Sequence, residues 1–96
     1  MQWGIRKYQP LAATLSDGLI EKMESDPCST YSVVIDSIRI IIDYGVVPGG
    51  PISLSARITN LETNDEVTSG IKIAESQKDI QLILEKFLGT AYLLRK

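Results

Sequence analysis

Residues 29–45 read Ser29-Thr30-Tyr31-Ser32-Val33-Val34-Ile35-Asp36-Ser37-Ile38-Arg39-Ile40-Ile41-Ile42-Asp43-Tyr44-Gly45, and the fold turns on whether they are helix or strand. Composition favours strand. Seven of the residues from 33 to 42 are Val or Ile, which suit a pleated, half-buried surface. Periodicity favours helix. The polar residues Ser32, Asp36, Arg39 and Asp43 are spaced 4, 3 and 4, which makes one stripe on a helix. Alternation at period two does not persist across the segment. The ends agree with a helix too: Ser29 can N-cap, Gly45 suits the left-handed position after the last turn, and Pro48 follows. The spacing therefore predicts a helix whose apolar surface covers most of its circumference, too much for a two-helix monomer to bury. The competing reading keeps residues 31–42 as a strand in one α+β domain with an antiparallel sheet.

Upstream, Leu11, Ala13 and Leu15 alternate with Ala12 and Thr14, which predicts a short strand starting at Pro10. Ser16 and Asp17 then suit the start of a helix that carries Leu19, Ile20 and Met23 on one face. Asp26-Pro27 stops it, because the residue before a proline avoids the α region. Downstream, the run Gly45-Val46-Val47-Pro48-Gly49-Gly50-Pro51 holds three of the seven glycines and two of the four prolines, and it reads as a linker or wide turn. It divides the chain into units at 1–47 and 52–96. In the second unit Ile52, Leu54, Ala56 and Ile58 alternate with Ser53, Ser55, Arg57 and Thr59, a clean strand. Residues 60–66 read as a turn, and 67–74 as a second strand with Ile71 and Ile73 inward. Ser76, with Asp79 three residues on, opens a helix whose apolar face is Ile80, Ile83, Leu84, Phe87, Leu88 and Ala91. Gly89 is a point where it can kink.

The order strand, helix, turn, helix over residues 10–45 resembles the ribbon-helix-helix family, the MetJ/Arc-type DNA-binding repressors. The resemblance rests on residues 10–23, similar to that family's strand, capping residue and first helix. It rests equally on residues 29–39, similar to a second helix opened by a capping Ser, with the apolar pair Val33-Val34 four and five residues on. It implies an N-terminal ribbon-helix-helix whose strands pair between two chains over a four-helix core; with the small hairpin-plus-helix module read over residues 52–96, the expected chain is α+β. The dimer core would hold Leu11, Ala13, Leu15, Val34, Ile38 and Ile41. The ribbon would enter the major groove of double-stranded DNA, with Pro10, Ala12 and Thr14 outward toward the bases. Ser29 and Thr30 would anchor a phosphate at the second helix's N-terminus, with Arg6 and Lys7 as a basic arm. Pro10 and Ala12 depart from the polar residues the family places there.

The charge balance points away from a broad phosphate binder. The 96-residue chain has 10 Lys and Arg against 12 Asp and Glu, a net charge of −2. With no His, histidine-base catalysis and His-ligated metal sites are excluded, and the single cysteine, Cys28, excludes an internal disulfide. The Pro48-Gly49-Gly50-Pro51 stretch lacks the Lys-Ser/Thr pair of a phosphate loop. No acid pair sits in an apolar setting. The expectation is a cytoplasmic homodimer without catalytic activity, metal or cofactor, and without a membrane span. Its first reading is a DNA-binding transcriptional regulator. The other is a protein-interaction module, antitoxin-like or a viral accessory factor, with weak or no DNA binding and with residues 52–96 available to a protein partner.

Overall fold

The computed structural model describes residues 8–95 and divides the chain into helix α1 (Tyr8–Ser25), strands β1 (Cys28–Ile35), β2 (Ile38–Val46), β3 (Ile52–Asn60), β4 (Glu66–Thr68) and β5 (Lys72–Ala74), and helix α2 (Gln77–Arg95). The sheet is an antiparallel meander in the order β1-β2-β3-β4, with β5 pairing the other end of β3. Both helices lie on one face of it. This is α+β, but not the expected order: the chain begins with a helix where a ribbon strand was expected, and residues 29–45 are a hairpin where the second helix was expected.

The first correction follows from burial. Ala12, Leu15, Leu19 and Met23 recur at spacings of 3, 4 and 4 and are all buried, so one helical stripe runs through the supposed strand. The Leu11/Ala13/Leu15 alternation was too short to compete with it. Pro10 sits in the first turn of α1, where N–H groups have no intrahelical acceptor and a missing one costs nothing. Ser16 is not a cap. It is buried midway along α1. Asp26-Pro27 does end the helix, with Asp26 N–H donating to Lys22 O at 2.8 Å.

The second correction has a geometric cause. Residues Asp36 and Ser37 connect β1 to β2, both with positive φ (48° and 66°), and Ile35 pairs with Ile38. This is a two-residue type I′ turn, whose twist matches that of the strands it joins. Such a turn reverses the parity of the chain. Even-numbered residues of β1 and odd-numbered residues of β2 share a face. Ser32, Arg39 and Asp43 therefore lie on one side of the sheet, with Asp36 in the turn, and together they mimic the 4-3-4 spacing of a helix. Each strand alternates within itself: Ile38, Ile40, Ile42 and Tyr44 are buried, and Arg39, Ile41, Asp43 and Gly45 are not. Asp-Ser is a poor match to the Asn-Gly signal for this turn, so the reversal left little trace in the sequence. Ser37→Gly should stabilise the protein by about 1 kcal/mol, because glycine enters positive φ without a steric cost. In a helix the same change costs roughly 0.5 kcal/mol. Urea unfolding reads the sign directly.

The Val47–Gly50 segment is a tight turn rather than a spacer. Gly50 N–H donates to Val47 O at 2.8 Å, Pro48 takes the second position and Gly49 the third at φ 72°, which is a type II turn. It joins two strands paired over nine positions, so the core runs continuously from Ala12 and Leu19 through Ile42 and Ile58 to Leu84 and Ala91. The expected strand over 52–59 is β3. The expected strand over 67–74 is broken into β4 and β5, and Ile71 and Ile73 are exposed rather than inward. The break is stitched by Ser69, whose N–H donates to Ala56 O and whose Oγ accepts from Ala56 N–H at 2.9 Å. Helix α2 buries the expected apolar face and continues through Gly89. Its start is held by Asp79, whose Oδ2 accepts from Glu75 N–H at 3.0 Å.

Two contacts seat the sheet under α1. Tyr44 is buried, and its hydroxyl donates to Asp26 O at 2.6 Å. Burial, with the nearby Asp26 and Cys28, holds its phenol above the usual value. Gly18 faces the Tyr31 phenol so closely that a Cβ at that position would collide with it. Gly18→Ala should therefore destabilise the protein despite alanine's higher helix propensity, and Gly18→Ala with Tyr31→Phe should regain most of the loss. Equal melting of both variants would contradict the close approach. Among the described residues no helix is long and apolar enough to cross a membrane.

Candidate interaction surface

The helices cover one face of the sheet and leave the other open. Strand register assigns that open face. Thr30, Ser32 and Val34 of β1 lie beside Asp43, Ile41 and Arg39 of β2, which lie beside Ser55, Arg57 and Thr59 of β3. Glu66, Thr68 and Ile73 complete it. The surface is small, polar and β-branched, with Val34 at 59% exposure, Ile73 at 55% and half-buried Ile41 as its apolar points. Its charges balance: Arg39 and Arg57 against Asp43 and Glu66. Arg57 Nε stands 3.8 Å from Asp43 Oδ2, a solvent-exposed pair worth little. A shallow depression forms where Gly45 has no side chain, rimmed by Cys28, Asp43, Ser53, Ser55 and Ile71. An apolar crevice opens on the other side of the sheet between the helices, lined by Ile20, Met23, Val46, Ile52 and Ile80. Among the described residues no cluster of three or more His, Cys, Asp or Glu side chains converges on a point.

The two edges of the sheet differ. The β3 side is closed by two three-residue strands separated by the Ser69 break, with Glu66 and Lys72 on them. Short strands, an interruption and charge are the usual means of blunting an edge. The β1 side has none of these. It is eight residues long, Cys28-Ser29-Thr30-Tyr31-Ser32-Val33-Val34-Ile35, without charge, proline or bulge. Its hydrogen-bond parity is fixed at one end by Val46 N–H donating to Pro27 O at 2.8 Å, and at the other by the two-residue turn. Residues 29, 31, 33 and 35 thus turn their backbone groups toward β2, and Thr30, Ser32 and Val34 turn theirs outward. Among the described residues no strand takes them up.

The residues expected to form a DNA site do not converge. On α1, Pro10 and Thr14 share the exposed side, where Thr14 Oγ1 donates to Pro10 O at 3.1 Å, while Ala12 faces the other way and is fully buried. Ser29 and Thr30 stand on a strand, on opposite faces of it, not at a helix N-terminus. Arg6 and Lys7 lie outside the described residues. The expected dimer core divides as well. Leu15 and Ile38 are buried within this chain, Leu11 and Ala13 flank α1 half-buried, and Val34 and Ile41 lie on the open face. Ser32, Arg57, Asp43 and Ser55 were missed as surface partners. For Ser32 and Asp43 the signal lay in the alternation inside residues 28–35 and 38–46, taken separately; Ser55 and Arg57 lie on the polar side of the alternation over 52–59, already read as a strand. The chain matches no protein-family model, no curated protein and no solved structure.

Proposed function

We propose that this chain is a protein-interaction module that binds by strand addition to β1. The observation that carries the reading is the contrast between the two edges. One is shortened, interrupted and charged; the other is long, regular and neutral, with three residues presenting outward backbone groups. Strand addition draws affinity from main-chain hydrogen bonds and specificity from alternate side chains. Here the alternate positions are Thr30, Ser32 and Val34 on the open face and Tyr31 and Val33 toward the helices. The balanced charge of the open face favours a protein partner over a phosphate backbone, which is bound chiefly through clustered Lys and Arg.

A display library of random peptides about eight residues long tests the reading. The wild-type protein should enrich β-branched, alternating sequences. Ser32→Pro removes one outward donor and no bond to β2, so it should abolish the enrichment while the melting curve stays close to that of the wild type. Equal enrichment by both proteins, or enrichment without a strand-like pattern, would contradict strand addition.

A further inference from the structure

Resting on that reading of the β1 edge, we infer that the strand added is β1 of a second copy of this chain, antiparallel and centred on Ser32, which joins two sheets into one. Three observations carry this. The first is register. Residues that turn outward must meet residues that turn outward, so a two-fold axis at Ser32 sets Ser32 against its own copy and Thr30 against Val34 of the other chain. On the helix side the same axis sets Tyr31 against Val33, an aromatic against a β-branched residue, a favourable cross-strand pair. Ser29 meets Ile35. Thr30 with Val34 and Tyr31 with Val33 join β-branched or aromatic residues, and Ser29 and Ser32 add only small uncharged side chains.

The second is charge. Self-pairing places like positions near one another, so a strand carrying Lys, Arg, Asp or Glu would oppose itself. β1 has none in eight residues. The third is the flank of α1 above β1. Gly18 faces Tyr31 and so marks the side of α1 above β1. At about 100° per residue, Leu11, Thr14, Glu21 and Lys22 lie around that flank. It holds one acid and one base, and a two-fold axis brings two such flanks together without a net charge. Half-buried Leu11, Tyr31 and Val33 are the apolar groups there that a second copy would cover.

A charge introduced at the axis tests the inference. The position is exposed, so Ser32→Lys and Ser32→Glu leave the fold intact. Sedimentation should give the wild type twice the 10.6 kDa chain mass at about 100 µM. Each variant alone should dissociate at least about tenfold more readily, since like charges then stand directly opposite. An equimolar mixture of the two variants should restore the dimer as a heterodimer. A wild-type dimer that neither charge weakens would overturn the inference by placing the interface elsewhere. A wild-type monomer overturns it as well, and amide exchange then separates the cases. If the Thr30, Ser32 and Val34 amides exchange freely and the peptide library still enriches strands, binding at the β1 edge stands and self-pairing falls. If those amides are protected in the monomer, the edge is already occupied within the chain, and both fall.

Discussion

Ile40→Asp should prevent folding, whereas Ile41→Asp should lower stability by less than about 1 kcal/mol. Ile40 is 1% exposed, between Val33 and Ile58 on the helix-covered face. A carboxylate there loses the apolar burial of a large side chain, about 2–5 kcal/mol with its cavity, and adds the cost of an unpaired charge. The sum is comparable to the whole stability of a small domain. Ile41 is half-buried on the open face beside Arg57, where an aspartate remains solvated and meets a cation. A helix over residues 29–45 reverses the order: Ile41 would lie opposite the polar stripe of Ser32, Asp36, Arg39 and Asp43, at the most buried position, and Ile40 on its flank. Far-UV circular dichroism and urea unfolding of the two variants decide between the orders. Equal effects, or a larger effect at 41, would contradict the hairpin.

Asn60→Ala should cost about 3 kcal/mol, at roughly 1 kcal/mol for each of three hydrogen bonds. Asn60 is a buried polar residue at the end of β3. Its Oδ1 accepts from Glu62 N–H at 2.9 Å and from Thr63 N–H at 3.3 Å, and its Nδ2 donates to Leu94 O at 3.3 Å. One side chain thus folds the β3–β4 turn and ties it to the last turn of α2. Asn60→Asp keeps both acceptor bonds and loses the donor, so it should cost less than alanine. Chemical denaturation gives the magnitudes. A loss below about 0.5 kcal/mol for Asn60→Ala would mean that water replaces all three bonds without penalty.

The C-terminal half of the fold was legible because its elements are governed by one local rule each. β3 alternates over Ile52, Leu54, Ala56 and Ile58, and the apolar stripe of α2 recurs at helical spacing from Ile80 to Ala91. The N-terminal half carried two rules in competition. Leu11-Ala12-Ala13-Thr14-Leu15 satisfies period two for five residues, and only Leu19 and Met23, two turns further on, show that period 3.6 governs. In residues 29–45 the parity reversal at Asp36-Ser37 disguised two strands as one helical stripe. The composition of the segment, dominated by Val and Ile, pointed to strand throughout. Ile71 and Ile73 have a third cause. They alternate as an inward strand would, but beyond the Ser69 break the register sets Ile73 beside Ser53 on the open face and Ala74 toward the core, and Ile71 precedes β5. The interaction surface was illegible for the same reason as the hairpin, since an edge exists only once the strand order is known. Thr30 and Val34 were singled out for roles on a helix, and they stand instead on the outward side of β1.

Residue-resolved amide exchange across β1 tests the account most directly, carried out at about 10 µM and again at about 500 µM. Tyr31 and Val33, bonded to β2, should exchange slowly at both concentrations. Thr30, Ser32 and Val34, between them in sequence but turned to the free edge, should exchange rapidly when dilute and slowly when concentrated. Uniform protection from 29 to 42 at both concentrations, with the Ser37 turn amide included, would mean a helix. An alternating pattern indifferent to concentration would mean an edge that this chain does not pair with itself.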